Sequence, residues 1–519
     1  MDCILTIKPQ NIKIKAEKGT LISQILKNRT DLEMVCGGNG TCGKCRVIAT
    51  GEMSPLTERE KTLPKGWRLA CTAKIMGDVS VFVPQNRIDQ QILTELRLPT
   101  LSPKEKKETE KENYGIAFDI GSTTIAAYLC DLNRDTIVSS ASLMNPQIVY
   151  GDDLISRINY INTHQEGLEE LQSSVIGACN RLIETFSEKT DSITKAVFVG
   201  NTCMNHIILG INPKSLGESP YEPVIYERVI KDAEELNINI RGKLFFFPNI
   251  AGFVGGDTVG VILSCMKTDT EKTLLAVDIG TNGEMALRHR GKLYVCSAAA
   301  GPAFEGGGIS RGMRGGRGAV DKATLENDDI KIHIIGNTEP KGICGSGLTD
   351  LINALVECKA VNMSGRLEED EAPDKIAEKI IPGTRGNDFI FAKTESDTLT
   401  LTQGDIRNMQ LAKGSIAAAI KTLLSYAEIT EKDLDRVYIA GGFGNYLNIK
   451  SALGIGLLPD IDINKIEAIG NGAGAGAVMA LLREEEWEYT EIIRKEAEHI
   501  ELAHSPDYQQ NLMDAMMFE

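Results

Sequence analysis

The segment G-I-A-F-D-I-G-S-T-T-I-A-A-Y-L, residues 115–129, is echoed downstream by L-L-A-V-D-I-G-T-N-G-E-M-A-L, residues 274–287. In each copy an apolar run of strand character ends in Asp-Ile-Gly and a small polar tip, and a second apolar run follows. This pattern predicts a hairpin with a glycine and hydroxyl tip and a carboxylate where the first strand ends. Two such tips facing each other across a cleft suit a polyphosphate. Backbone N–H groups and hydroxyls of Gly121, Ser122, Thr123 and Thr124, and of Gly280, Thr281 and Asn282, would hold oxygen atoms, while Asp119 and Asp278 would hold Mg²⁺ or orient water. One copy would be weak, because hairpin tips are often glycine-rich for structural reasons alone. Two copies followed by a third element are stronger.

That element is V-Y-I-A-G-G-F-G-N-Y-L, residues 437–447. An apolar strand enters a glycine turn, Gly441, Gly442, Phe443 and Gly444, that a flat base and ribose can approach closely. The stretches 251–263 and 468–481 read as small-residue helices packed between two halves. No G-x-x-x-x-G-K-[ST] motif occurs, which excludes a P-loop. The order of phosphate motif, connector, second phosphate motif, adenosine motif and connector resembles the acetate and sugar kinase, Hsp70 and actin superfamily. The resemblance covers residues 114–482 and implies an α/β ATPase body with halves at 114–270 and 271–482.

The N-terminal region carries different chemistry. Cys36, Cys42, Cys45 and Cys71 stand as V-C-G-G-N-G-T-C-G-K-C-R…L-A-C-T. Thiolates at this spacing among glycines fit a [2Fe–2S] cluster, whose sulfurs receive backbone N–H groups from a tightly wrapped loop. The first gap is one residue longer than in the plant-type C-x4-C-x2-C…C pattern. Zinc is a weaker reading, since only Cys42 and Cys45 form a C-x2-C knuckle, and inert thiols are a third. Residues 4–7, 12–15 and 79–83 alternate as half-buried strands, and Thr20 to Leu26 reads as a short helix. The stretch 1–88 resembles a β-grasp ferredoxin domain of α+β class.

A chain of 519 residues is too long for a single core, and its 42% hydrophobic and 25% charged residues are ordinary for a globular protein. No apolar run is long enough to span a membrane, and the start M-D-C-I-L-T-I-K lacks the order of a signal peptide, so a cytoplasmic protein with reduced thiols is expected. The other eight of the 12 cysteines read as core residues or incidental thiols. Residues 1–88 hold 14 Lys and Arg against 8 Asp and Glu, or +6, which leaves −22 of the total −16 on the remainder. An acidic body argues against nucleic acid. A basic module beside it predicts electrostatic docking, weakened by salt and by reversing Lys44 and Arg46. Residues 89–113, rich in Pro and mixed charge, read as a linker on which the module swings. Arg311, Arg314 and Arg317 sit in a glycine-rich loop read as mobile, suited to phosphate or to a partner. Ser346 opens a helix that it caps or from which it meets a phosphate. Residues 483–519 read as an acidic helical tail whose M-M-F-E end docks on the body.

Together, the cysteine domain, D-I-G-S-T-T, D-I-G-T-N-G-E, E-G-G-G-I and A-G-G-F-G resemble the reductive activators of corrinoid proteins. The resemblance implies ATP-dependent conversion of cob(II)amide to cob(I)amide on a corrinoid-binding protein of a methyltransferase system, a low-potential electron donor upstream, and a homodimer. It also implies a reason for ATP. If the cobalt couple lies about 200 mV below a cluster near −400 mV, the uphill electron costs roughly 4.7 kcal/mol. The chain lacks the D-x-H-x-x-G cobalamin loop. Its nearest approach surrounds His164, from which cobalt ligation is not expected. Three rivals share parts of the pattern: an activator of a radical dehydratase, a small-molecule kinase with an added ferredoxin domain, and a redox-sensing module with a degenerate nucleotide cleft.

Overall fold

A computed structural model describes residues 2–9, 11–27, 29, 30, 32, 45–84, 96, 111–151, 153–444 and 446–518. They form two compact units. The first is built from described residues within 1–94, 100–260 and 476–494, the second from those within 95–99, 261–475 and 495–519.

The first unit opens with strands β1 (Asp2–Lys8), β2 (Ile12–Glu17), β3 (Arg46–Met53), β4 (Trp67–Leu69) and β5 (Ile75–Phe82), in the sheet order β2-β1-β5-β3-β4. Alternation sets the faces: Cys3, Leu5 and Ile7 of β1 are buried, while β2 lies exposed at the edge. The helix Ile22–Leu26 packs in the same core, and the parallel pairing of β1 with β5 gives the mixed sheet expected of a β-grasp.

A six-stranded sheet follows from β6 (Tyr114–Ile120), β7 (Thr124–Asp131), β8 (Thr136–Met144), β9 (Ile193–Gly200), β10 (Val229–Asp232) and β11 (Lys243–Phe246), ordered β10-β11-β9-β6-β7-β8. The N-terminal domain is docked on it. Ile48, Trp67 and Phe82 share one apolar cluster with Tyr114, Tyr150, Val175 and Ala178. The Trp67 indole covers Gly177 of the helix Gly167–Thr185, where a Cβ would stand 3.9 Å from Cζ2. Thr50 and Tyr160 hydroxyls meet at 3.0 Å. At the rim Lys65 Nζ lies 2.5 Å from Glu169 and 3.2 Å from Glu166. The expectation of electrostatic docking therefore holds only at the rim, and the centre is apolar. The linker apart from Leu96 and residues 111–113 lies outside the described residues, as does Lys44.

The second unit repeats the topology. Its main sheet takes β12 (Leu274–Ile279), β13 (Gly283–His289) and β14 (Lys292–Ala298) as an antiparallel meander. Two small sheets intervene: β15 (Ala319–Glu326), β16 (Asp329–Ile334) and β17 (Gly342–Ile343), then β18 (Ile380–Pro382), β19 (Asn387–Lys393) and β20 (Thr398–Thr402). The main sheet is completed by β21 (Arg436–Ala440), β22 (Ile466–Gly470) and β23 (Ala497–His499), in the order β22-β21-β12-β13-β14-β23. In both units a parallel strand, β9 or β21, flanks the first strand of the meander. The duplicated sequence thus becomes a duplicated sheet.

The tail departs from a simple surface helix. Helix Glu484–Glu496 belongs as far as Arg494 to the first unit, where Trp487 is buried against Phe245 and Phe247 and under the Arg228 guanidinium. The next residues add β23 to the second sheet, and Phe518 is fully buried with the Lys413 ammonium over its ring. The docking of M-M-F-E is as expected.

Candidate functional site

In the N-terminal domain, β3–β4 pairing and the bond from the Ala70 N–H to the Cys45 carbonyl (2.9 Å) bring the ends of two strands together. As a result Cys45 Sγ and Cys71 Sγ lie 3.2 Å apart, both buried and neither in a disulfide. Two buried sulfurs brought this close by the strand ends suit ligation of one iron centre. Cys36 and Cys42 lie outside the described residues. Behind the pair, buried Glu60 accepts from Arg68 Nε and the Leu69 N–H, each at 3.0 Å. Burial alone would raise the Glu60 pKa, but Arg68 and the neighbouring N–H and hydroxyl donors hold it below the usual value. The other described cysteines are structural: burial pushes the Cys203 thiol up to about 12 and raises Cys130, Cys179, Cys265 and Cys296 further.

The first D-I-G turn forms the expected hairpin, with Asp119 opposite Ala126 and the Gly121 N–H bonded to the Thr124 carbonyl at 3.0 Å. Its carbonyls are held from behind by two residues that the sequence did not single out. Asn145 Nδ2 donates to the Gly121 carbonyl (2.8 Å), and the Asn145 N–H donates to Thr123 (2.9 Å). The fully buried Arg157 donates to the Ser122 carbonyl (2.5 Å) and to Gln147 (3.1 Å). With its carbonyls clamped, the turn is held rigid.

Asp257 is a third residue missed from sequence, where G-G-D-T-V-G was read only as helix packing. It opens the helix Gly256–Cys265, and Oδ1 accepts from the Thr258 N–H at 2.7 Å. Gly255 and Gly256 pack against the backbone of Asn201–Thr202 and Gly200, and Gly200 pairs with Ile120 at the end of β6. Asp257 is thereby set beside the first turn. Burial pushes its carboxyl up to about 6.

The second turn lies wholly in the second unit. Asp278 is directly opposite Glu284 across the β12–β13 hairpin. Facing carboxylates of like charge are unfavourable unless a cation offsets them, which fits a hard divalent ion. The Gly280 N–H bonds the Asn282 carbonyl at 3.0 Å. The Thr281 hydroxyl, expected to meet phosphate, donates to Glu305 Oε1 at 2.8 Å. Gly441 comes close to this turn: at φ +90° its backbone lies so near Asp278 that a Cβ would stand 2.5 Å from Oδ1. Parallel pairing of β12 with β21 places Ala440 beside Asp278 and causes this approach. Phe443 does not serve the turn as a free aromatic face. Its ring packs on Phe304 at 4.9 Å and against Gly345, joining the A-G-G-F-G turn to the E-G-G-G-I loop.

Two further expectations change. Ser346 does not cap its helix, because its hydroxyl donates to the Asp321 carbonyl at 3.0 Å. The arginine loop is pinned by backbone bonds to Ile343. His164 ends a helix, stacked on Tyr160 at 3.9 Å with Nδ1 at 3.0 Å from the Tyr160 carbonyl. Among the described residues no group of three or more His, Cys, Asp or Glu is placed to hold a metal ion, and no helix is long and apolar enough to cross a membrane.

The chain was compared with known families and proteins. Residues 5–76 match a 2Fe-2S iron-sulfur cluster binding domain, residues 114–269 the RACo middle region, and residues 272–519 the C-terminal domain of RACo, the ASKHA domain. The corrinoid activation enzyme RamQ of Eubacterium limosum is 37% identical over 424 residues, 79% of this chain and 71% of that one. The [Co(II) methylated amine-specific corrinoid protein] reductase of Methanosarcina barkeri is 25% identical over 406 residues, 72% of this chain and 69% of that one. Among solved structures, a reductive activator for corrinoid, iron-sulfur protein superposes with a TM-score of 0.71 at 28% identity, covering 99% of this chain and 98% of that one. The chain belongs to the family of reductive activators of corrinoid proteins.

Proposed function

We propose that this protein uses ATP hydrolysis to drive one electron onto the cob(II)amide of a corrinoid-binding protein of a methyltransferase system, giving cob(I)amide. What carries the reading is the union, in one chain, of a buried thiol pair in a 2Fe–2S-type domain with the Asp278–Gly441 juxtaposition in an ASKHA-type domain. Held by Cys36, Cys42, Cys45 and Cys71, a [2Fe–2S] cluster supplies one-electron transfer. The protein's own residues do the rest. Glu60 and Arg68 fix the strand that leads to Cys71. The clamped turn around Asp119 and the turn around Asp278 hold phosphate oxygens, and Asp278 with Glu284 holds Mg²⁺. Gly441, Gly442 and Gly444 let the nucleoside approach the backbone. Asp257, with a proton affinity close to neutral, takes the proton of the attacking water as ATP gives ADP and phosphate.

Coupling requires that the nucleotide state favour one conformation, since a ligand shifts an equilibrium only by its differential affinity for the two states. A low-potential donor upstream, a homodimer and a cytoplasmic setting belong to the same reading. The test is to mix the anaerobically purified protein with a corrinoid carrier in the cob(II)amide state, ATP and a strong reductant. Cob(I)amide absorbance should appear with ATP and not without it. Equal reduction in both cases would sink the proposal.

A further inference from the structure

The sequence offers three arginines in one glycine-rich loop, and the structure separates them. Arg311 is committed: its guanidinium makes two 3.0 Å bonds to Asp397. Arg317 lays its stem over Gly336. Arg314 has no hydrogen-bond or ion-pair partner among the described residues, and it lies within electrostatic reach of Glu305, whose carboxylate accepts from Thr281 of the second turn.

Its place is fixed by backbone. The Ile343 N–H donates to the Arg311 carbonyl (2.8 Å), and the Met313 N–H donates to the Ile343 carbonyl (2.9 Å), so residues 311–313 run as a short strand beside Ile343. Gly306, at φ +79°, lies against this strand so closely that a Cβ would stand 2.7 Å from the Met313 carbonyl oxygen. Glu305 immediately precedes Gly306 and Arg314 immediately follows Met313, so the contact brings their backbones near each other. Glu305 accepts from the Thr281 hydroxyl (2.8 Å), which ties the pair to the tip of the Asp278 hairpin. Arg314 is exposed as a residue, yet crowding by neighbouring atoms lowers its pKa, with Glu305 opposing the shift.

We propose that Arg314 binds the polyphosphate of the nucleotide held at the Asp278 turn. This rests on the nucleotide reading above. A planar guanidinium can grip two phosphate oxygens at once, whereas the Thr281 hydroxyl is already engaged. Glu305 attracts the arginine without forming an ion pair with it, and its carboxylate accepts from Thr281.

The experiment measures ATP affinity by calorimetry, together with the melting temperature of the nucleotide-free protein, on the full chain with Arg314→Ala and Arg314→Lys. Losing a charge-assisted contact should weaken ATP binding about 10- to 100-fold in Arg314→Ala. Arg314→Lys, which keeps the charge but not the fork, should fall in between. Because Arg314 is exposed and unpartnered, the nucleotide-free melting temperature should match that of the wild type. ATP affinity of Arg314→Ala within about twofold of wild type would overturn the assignment. So would weaker binding accompanied by a lowered nucleotide-free melting temperature, or intact ATP binding with loss of cobalt reduction alone, which would make Arg314 a partner contact. Failure of the wild-type protein to bind ATP would instead remove the nucleotide reading itself.

Discussion

Reversing the charge of Lys65 should leave the ferredoxin domain docked, although it removes the ion pairs that join the two domains. Lys65 is 38% exposed and its partners Glu166 and Glu169 are each 62% exposed. Such pairs contribute about 0.2–1 kcal/mol each and are screened by salt. Trp67, at 8% exposure, sits with Ile48 and Phe82 in the shared apolar cluster, and truncating a buried tryptophan costs about 3–5 kcal/mol. The apolar term is the larger. Only two tryptophans occur in the chain. In a Trp487→Phe background, Trp67 is therefore the sole emitter and reports its own burial. Neither Lys65→Glu nor an ionic strength of about 1 M, where screening acts within about 3 Å, should red-shift its emission or open it to acrylamide quenching. Gly177→Arg should do both, because it drives a long side chain into the 3.9 Å contact with the indole. A red shift on adding salt alone would refute the apolar docking and restore the electrostatic account.

Three other outcomes are expected. Glu60→Ala leaves Arg68 buried without its carboxylate, a loss of about 3–5 kcal/mol that should show as a lower melting temperature of the ferredoxin domain and loss of cluster absorbance. Retained absorbance and stability would mean that the pair is dispensable. Gly441→Ala forces a Cβ into a position at φ +90° and 2.5 Å from Asp278 Oδ1, so ATP affinity should fall while absorbance of the N-terminal domain is unchanged. Asp257 titrates in the fold at about 6, above its ordinary 3.8, so the stability linked to its protonated form is lost as pH rises from about 4 through about 6. Asp257→Asn should therefore melt higher than wild type above about pH 7, with the gap closing in acid, and it should abolish the rise in ATP turnover expected through about pH 6.

Strand alternation, glycine placement and cysteine spacing are local properties, and they made much of the fold legible. The hairpins at Asp119 and Asp278, the strand entering Gly441 and the β-grasp strands stand where the pattern puts them. Contacts between residues far apart in the chain were not legible. Asn145 and Arg157 clamp the first turn from a loop and a helix that carry no motif. Asp257 gained its raised pKa from burial by surrounding segments, although an acidic residue in the first turn of a glycine-rich helix was a signal available to be read. Thr281 and Phe443 look like ligands in sequence, yet in the fold they spend their polar or aromatic groups on Glu305 and Phe304.

The sequence by itself determined the domain order, the duplicated D-I-G hairpins, the cysteine pattern and the family, because each rests on residue identity and spacing over a few neighbours. Only the tertiary structure decided which of three arginines is committed to an ion pair, that the basic domain docks through Trp67 rather than through its charges, and that Gly441 abuts Asp278. Those outcomes depend on strand pairing and side-chain burial between segments separated by tens to hundreds of residues, where net charge and periodicity carry no distance information.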